Sequence, residues 1–171
     1  YDSRAWRLAR PGVSYFEVDH PATQSDKRRR APVGGPTYVP VELGVDALPE
    51  ALHRTDFDPS ARSVVTVEGL TMYLTETQVS DLFSALHGVC APGSVVAVNF
   101  GMGVEAAATT ASGKAGALLS QVSLKLTGER VTFRPTPADA RKLLTTTGWT
   151  PTSSRTAPEL IHHYVTGTPL P

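Results

Sequence analysis

The sequence holds one cysteine, Cys90, so no disulfide can close within the chain, and no Cys-x-x-Cys or Cys/His spacing offers a zinc site. Cysteine usage of this kind suits a reducing, cytoplasmic setting. No apolar run approaches the roughly 18 residues of a membrane span. The opening Tyr1-Asp2-Ser3-Arg4 is polar and mixed in charge, unlike a signal peptide. An initiator methionine is lacking too, so the chain is expected to open partway through a longer sequence. Charge of one sign is missing: 16 basic residues balance 16 acidic ones. That balance argues against nucleic acid or a membrane surface as partner, since both call for a basic excess. Gly101-Met102-Gly103 lacks the Lys-Ser/Thr of a phosphate loop, and Gly-x-Gly-x-x-Gly occurs nowhere. Internal repeats are absent. At 171 residues the chain is expected to form a single domain, 1–171.

What is present is a set of short apolar, β-branched or aromatic runs that end in carboxylates. Tyr15-Phe16-Glu17-Val18-Asp19 is one, and Val64-Val65-Thr66-Val67-Glu68 is another. Runs of this length without helical period read as buried strands of a parallel sheet. An acid at the carboxyl end of such a strand stands where open α/β sheets bind ligands, and in nucleotide-binding folds it takes ribose hydroxyls. Two such acids point to a nucleoside ligand.

Helical signals alternate with the strands. Ser3–Arg10 reads as a short helix broken by Pro11-Gly12, and Pro21 as an early residue of a helix ending at Asp26–Arg30. Thr37–Leu43 reads as a second strand, with Pro40 marking an edge or an irregular end. Asp46–Arg54 reads as a helix and Ser63–Val67 as a strand. Thr75 caps a helix from Glu76 to Val89, with Val79, Leu82, Phe83 and Leu86 on one face. Val95–Phe100 is a fourth strand and Glu105–Leu126 a mostly helical stretch. Thr136 caps a helix stopped by Gly148. Thr150–Arg155 and Leu160–Thr166 read as a closing antiparallel strand pair. The order predicts an α/β fold, a doubly wound and mostly parallel sheet, and the closing pair favours its methyltransferase variant.

Taken together, these residues resemble the leucine carboxyl methyltransferase family and its bacterial members, which depend on S-adenosyl-L-methionine. Tyr1-Asp2-Ser3-Arg4-Ala5-Trp6-Arg7-Leu8 resembles the end of the family's first motif. Phe16-Glu17-Val18-Asp19-His20-Pro21-Ala22-Thr23-Gln24, with Lys27, resembles the second. Val41-Glu42-Leu43 stands where the family usually has Asp-Leu. Val67-Glu68-Gly69-Leu70-Thr71-Met72-Tyr73-Leu74 resembles the fourth strand and its exit, and Gly148-Trp149 also fits.

The resemblance implies that Asp19 holds the cofactor's ribose and that Glu42 and Leu43 flank its adenine. Glu68 would face the methionine part or the mouth of the acceptor site. Glu42 departs from the family's aspartate by one methylene. The implied reaction is O-methylation of a small carboxylate or hydroxyl acceptor. A carboxylate acceptor needs no general base; for a hydroxyl, His20 is the nearest candidate base and Tyr73 could orient the acceptor. Neither receives a catalytic assignment. By the same resemblance a preceding segment carries the glycine-rich turn and the first central strand, so that strand is expected to be missing here. Its loss would bare strand edges and invite homo-oligomers. The rival expectation is a catalytically inactive α/β binding or assembly module derived from such an enzyme.

Other residues read as structural. His20 is first a cap residue. His162 and His163, adjacent on an expected strand, point to opposite faces and make no metal site. Lys27–Arg30 is expected to be a solvated helix end, and Trp6 and Trp149 are expected in the core.

Overall fold

A computed structural model describes residues 1–101 and 131–165. The chain starts with a short helix α1 (Arg4–Arg7), then strand β1 (Phe16–Asp19), helix α2 (Pro21–Arg30) and strand β2 (Thr37–Pro40). β1 and β2 run parallel, with Phe16 opposite Thr37 and Asp19 opposite Pro40. Helix α3 (Leu48–His53) leads to strand β3 (Val64–Val67), helix α4 (Glu76–Val89) and strand β4 (Val95–Val98). β3 and β4 also run parallel, Val64 opposite Val95 and Val67 opposite Val98. Helices α5 (Pro137–Thr146) and α6 (Ala157–Tyr164) follow. The architecture is therefore α/β with two parallel strand–helix–strand units. Among the described residues β1 pairs with β2 and β3 with β4, and the two pairs are not bonded to each other.

Local chemistry explains the helix boundaries. The Thr75 hydroxyl accepts the Gln78 N–H at 3.2 Å, and Gln78 Oε1 accepts the Thr75 N–H at 2.9 Å, a closed capping box at the start of α4. The apolar period then turns Val79, Leu82, Phe83, Leu86 and Val89 inward. Val79 and Phe83 are fully enclosed. Each such side chain contributes about 1.5–3 kcal/mol on burial. α4 packs on Leu48 and Leu52 of α3, Leu143 of α5, and Val39, Val41 and Val67 near the strand ends. Trp149 joins this core and donates its indole N–H to the Phe83 carbonyl at 2.9 Å. Gly148 ends α5 with φ +95, where its N–H reaches the Thr145 carbonyl.

α2 is held differently. Its inward residues are polar, Gln24 and Lys27, both nearly inaccessible. The Gln24 side-chain amide donates to the carbonyls of Glu17 at 2.6 Å and Val39 at 3.3 Å, so it clamps the β1–β2 pair. Lys27 is thus not part of a solvated helix end; Arg28, Arg29 and Arg30 alone stay exposed.

The expected closing strand pair is overturned. Residues 150–156 are irregular, and Leu160 lies within helix α6. Glu159 accepts the Thr156 N–H at 2.6 Å and the Thr156 hydroxyl at 2.8 Å. With Pro158 in the first turn, this start signal favours a helix over the β-branched content that suggested a strand. The expected strand over Thr37–Leu43 is shorter, ending at Pro40. The expected helix over Glu105–Leu126 lies outside the described residues.

Candidate functional site

Parallel pairing brings the carboxyl ends of β1 and β2 together. The Val41 N–H donates to the Asp19 carbonyl at 3.0 Å, which carries the ladder one residue past Pro40. The Asp19 side chain is exposed at this end, and its Oδ1 accepts the His20 N–H at 2.7 Å. His20 in turn caps α2: its Nδ1 accepts the Ala22 N–H at 3.2 Å. The cap role read from the sequence holds, and it fixes the proton of the neutral ring on Nε2. Asp19 therefore sits between a strand end and a helix N-terminus, with its second oxygen able to accept further hydrogen bonds.

Glu42 and Leu43 belong to a tight loop. The Glu42 carbonyl accepts the N–H groups of Val45 at 3.0 Å and Asp46 at 2.9 Å, while Asp46 Oδ2 accepts the Glu42 N–H at 2.8 Å. This curl, not an extended strand, follows Pro40. Gly44 permits it with φ +90, and a Cβ there would run into the Gln78 side-chain amide. Gln78 Nε2 also reaches the Leu43 carbonyl at 3.4 Å, so the residue that caps α4 steadies this loop. Leu43 packs half-buried against the core, and Glu42 is exposed.

Glu68 follows β3 and is held from the start of the chain. Arg4 Nη1 donates to Glu68 Oε1 and Arg4 Nη2 to Oε2, each at 2.9 Å, a planar fork on a planar carboxylate. Asp2 grips the same arginine, accepting from its backbone N–H and its Nε at 2.8 Å each. The Arg4 side-chain bond holds the Asp2 carboxyl below the usual carboxylate range, against the opposing pull of burial. The carboxylates of Asp2 and Glu68 push the Arg4 guanidinium well up, so it is charged at every working pH. Next to Glu68, the Gly69 N–H donates to Asn99 Oδ1 at 2.8 Å, and the Thr71 hydroxyl donates to the Asn99 carbonyl at 3.2 Å.

Asp2 also connects to β1. Lys27 Nζ donates to the Asp2 carbonyl at 2.7 Å and forms an ion pair with Glu17. The Lys27 ammonium lies 5.4 Å from the centre of the Trp6 ring. Residues 2–4 thus bridge β1 and β3, which share no ladder among the described residues. Arg4, Lys27, Asp46, Gln78 and Asn99 are the neighbours of these positions to which sequence reasoning gave no part in the site. Arg4 and Lys27 stood in the quoted motifs, but their partners lie 64 and 10 residues away.

Pairing of β1 with β2 brings Asp19 and the Glu42–Leu43 loop to one end, while Glu68 stands at the end of β3 in the other strand pair. Tyr73 lies exposed in a short 3₁₀ turn, Thr71–Tyr73, after Glu68. Among the described residues no group of three or more His, Cys, Asp or Glu is placed to hold a metal ion. His162 and His163 lie on helix α6, so the alternation of a strand does not apply to them.

Comparison with known proteins bears on the family. Residues 1–87 match the family model for leucine carboxyl methyltransferase. A Mycobacterium leprae protein named "Putative S-adenosyl-L-methionine-dependent methyltransferase" is 41% identical over 104 residues, 57% of this chain and 34% of that protein. Proteins of the same name from Mycolicibacterium smegmatis and Mycobacterium tuberculosis are 39% and 38% identical, over 58% and 57% of this chain. The match spans about a third of the length of these curated relatives, 34% to 35%. The matched half holds Asp19, Glu42, Leu43 and Glu68, and by this match the chain belongs to the leucine carboxyl methyltransferase family.

Proposed function

We propose that this chain carries the nucleoside-binding part of an S-adenosyl-L-methionine site in an O-methyltransferase acting on a small carboxylate or hydroxyl acceptor. The observation that carries the reading is the placement of Asp19, Glu42 and Glu68 at or just beyond the carboxyl ends of β1, β2 and β3, strands drawn from two parallel pairs. The donor set suits the cofactor. Asp19 has acceptor capacity for the two ribose hydroxyls beyond its bond to the His20 N–H. Leu43 offers an apolar surface for the adenine, on a loop fixed by Asp46 and Gln78. Glu68 is an anion for the ammonium of the methionine part. The relatives' names point the same way.

When bound, the cofactor supplies a methyl group already activated on a sulfonium. The protein's task is then to bind, orient and keep water out. A carboxylate acceptor attacks without a base. No residue is assigned as general base, since His20 Nδ1 is occupied as a cap. The reading also expects a further parallel strand between β1 and β3, which are not paired with each other among the described residues. If that strand is not supplied, the bare edges favour association with a second copy.

Thermal unfolding of the intact protein with and without S-adenosylhomocysteine tests the reading. At a hundredfold excess over Kd, binding stabilises by about 2.7 kcal/mol, which raises Tm by roughly 5–10 °C. A cooperative transition that does not move would overturn the cofactor reading and leave an inactive binding or assembly module.

A further inference from the structure

Arg4 stands outside the set of residues that resemblance assigns to the cofactor, yet it makes the most directional contact at the site. Its two terminal nitrogens meet the two oxygens of Glu68, both at 2.9 Å. The guanidinium is itself fixed from behind, because Asp2 accepts from its Nε and from its backbone N–H. The Glu68 side chain is 57% exposed and the Arg4 side chain 31%. An exposed glutamate with no such partner would sample several rotamers and lose that freedom when a ligand binds.

We infer that Arg4 is a positioning residue for the methionine end of the site, holding the Glu68 carboxylate in one orientation before the ligand arrives. This rests on the cofactor reading above. The fork leaves each Glu68 oxygen one acceptor position, because a carboxylate offers about four lone-pair sites in all. A ligand ammonium therefore joins the fork without displacing Arg4. Lysine cannot take this role: its ammonium is a point charge that cannot meet both oxygens in one plane. Asn99 complements Arg4 by fixing the backbone of the next residue through the Gly69 N–H. Side chain and main chain at this strand end are thus set by different partners.

The test uses two ligands that share the nucleoside and differ in the amino-acid part. S-adenosylhomocysteine carries the ammonium; 5′-deoxy-5′-methylthioadenosine does not. Calorimetric titrations compare the intact protein with its Arg4→Ala and Arg4→Lys variants. Both variants should bind S-adenosylhomocysteine about threefold to tenfold more weakly, the range for an unfixed side chain. Both should bind methylthioadenosine within twofold of the parent. Arg4→Lys keeps the charge and guards against a failure to fold. Equal losses for both ligands would show that Arg4 merely supports the fold and would overturn the inference. No loss for either would overturn it too. Binding of neither ligand by the parent would remove the cofactor reading itself, and this inference with it.

Discussion

Arg4 and Glu68 lie 64 residues apart and meet in a two-bond fork, Nη1 to Oε1 and Nη2 to Oε2 at 2.9 Å each. This contact joins the first helix to the end of β3, which no ladder links to β1 among the described residues. Its worth is geometric more than energetic. An ion pair this open to water contributes about 0–1 kcal/mol and weakens with salt. Glu68→Gln should therefore lower the unfolding free energy of the ligand-free protein by less than about 1 kcal/mol, measured by urea denaturation. A larger loss would mean that the pair holds the fold together.

Lys27 is the opposite case. Its side chain is 5% exposed and that of Glu17 17%. Lys27→Met strands a buried carboxylate and should cost about 3–5 kcal/mol. The double change Lys27→Met with Glu17→Leu should recover much of that loss, since no charge is then left unpaired. Urea denaturation of both variants checks the pair. A double variant no better than the single would show that the Lys27 bond to the Asp2 carbonyl, and not the ion pair, is the stabilising contact.

Much of this was legible in sequence where the signal is local. Thr75 and Gln78 announce the start of α4, and the spacing of Val79, Leu82, Phe83 and Leu86 names its buried face. His20-Pro21 announces α2, and Thr136 and Gly148 bracket α5. The strand-end acids were legible because an apolar run stops at each of them. Non-local chemistry was not. The run Lys27-Arg28-Arg29-Arg30 gives no sign that its first residue turns inward, because α2 has no apolar stripe to set a face. At the end of the chain two local signals conflict: the β-branched residues after Leu160 suggest a strand, while Thr156 and Glu159 start a helix. The cap decides, because it satisfies the Thr156 N–H in place of a ladder.

Gly44 links the loop beside Leu43 to the cap of α4. Alanine there must adopt φ +90 and push the Gln78 amide aside. A left-handed non-glycine residue costs roughly 1–2 kcal/mol. Gly44→Ala should lose about that much stability and also weaken S-adenosylhomocysteine binding. Gly44→Asn tolerates this backbone conformation better but brings the same Cβ against Gln78, so it should lose less stability and weaken binding no less. Thermal melts and titrations of the two variants provide the comparison.

Cys90, half-buried at the C-terminal cap of α4, has its thiol pushed up by burial. The thiol of the unfolded chain ionises first, near pH ~8.5. Stability from this group is therefore full below that pH and falls as pH rises past it. Reaction with a disulfide reagent at pH 8 should be slower for the native protein than for the urea-unfolded chain. Equal rates would contradict the burial of this thiol.

The most direct measurement is a structure of the intact protein with S-adenosylhomocysteine bound. The account predicts both ribose hydroxyls within about 2.5–3.0 Å of the Asp19 carboxylate. It also predicts the adenine against Glu42–Leu43 and the ammonium at Glu68 beside an undisturbed Arg4 fork. Ligand bound away from Asp19, or a ribose turned from it, would contradict the account.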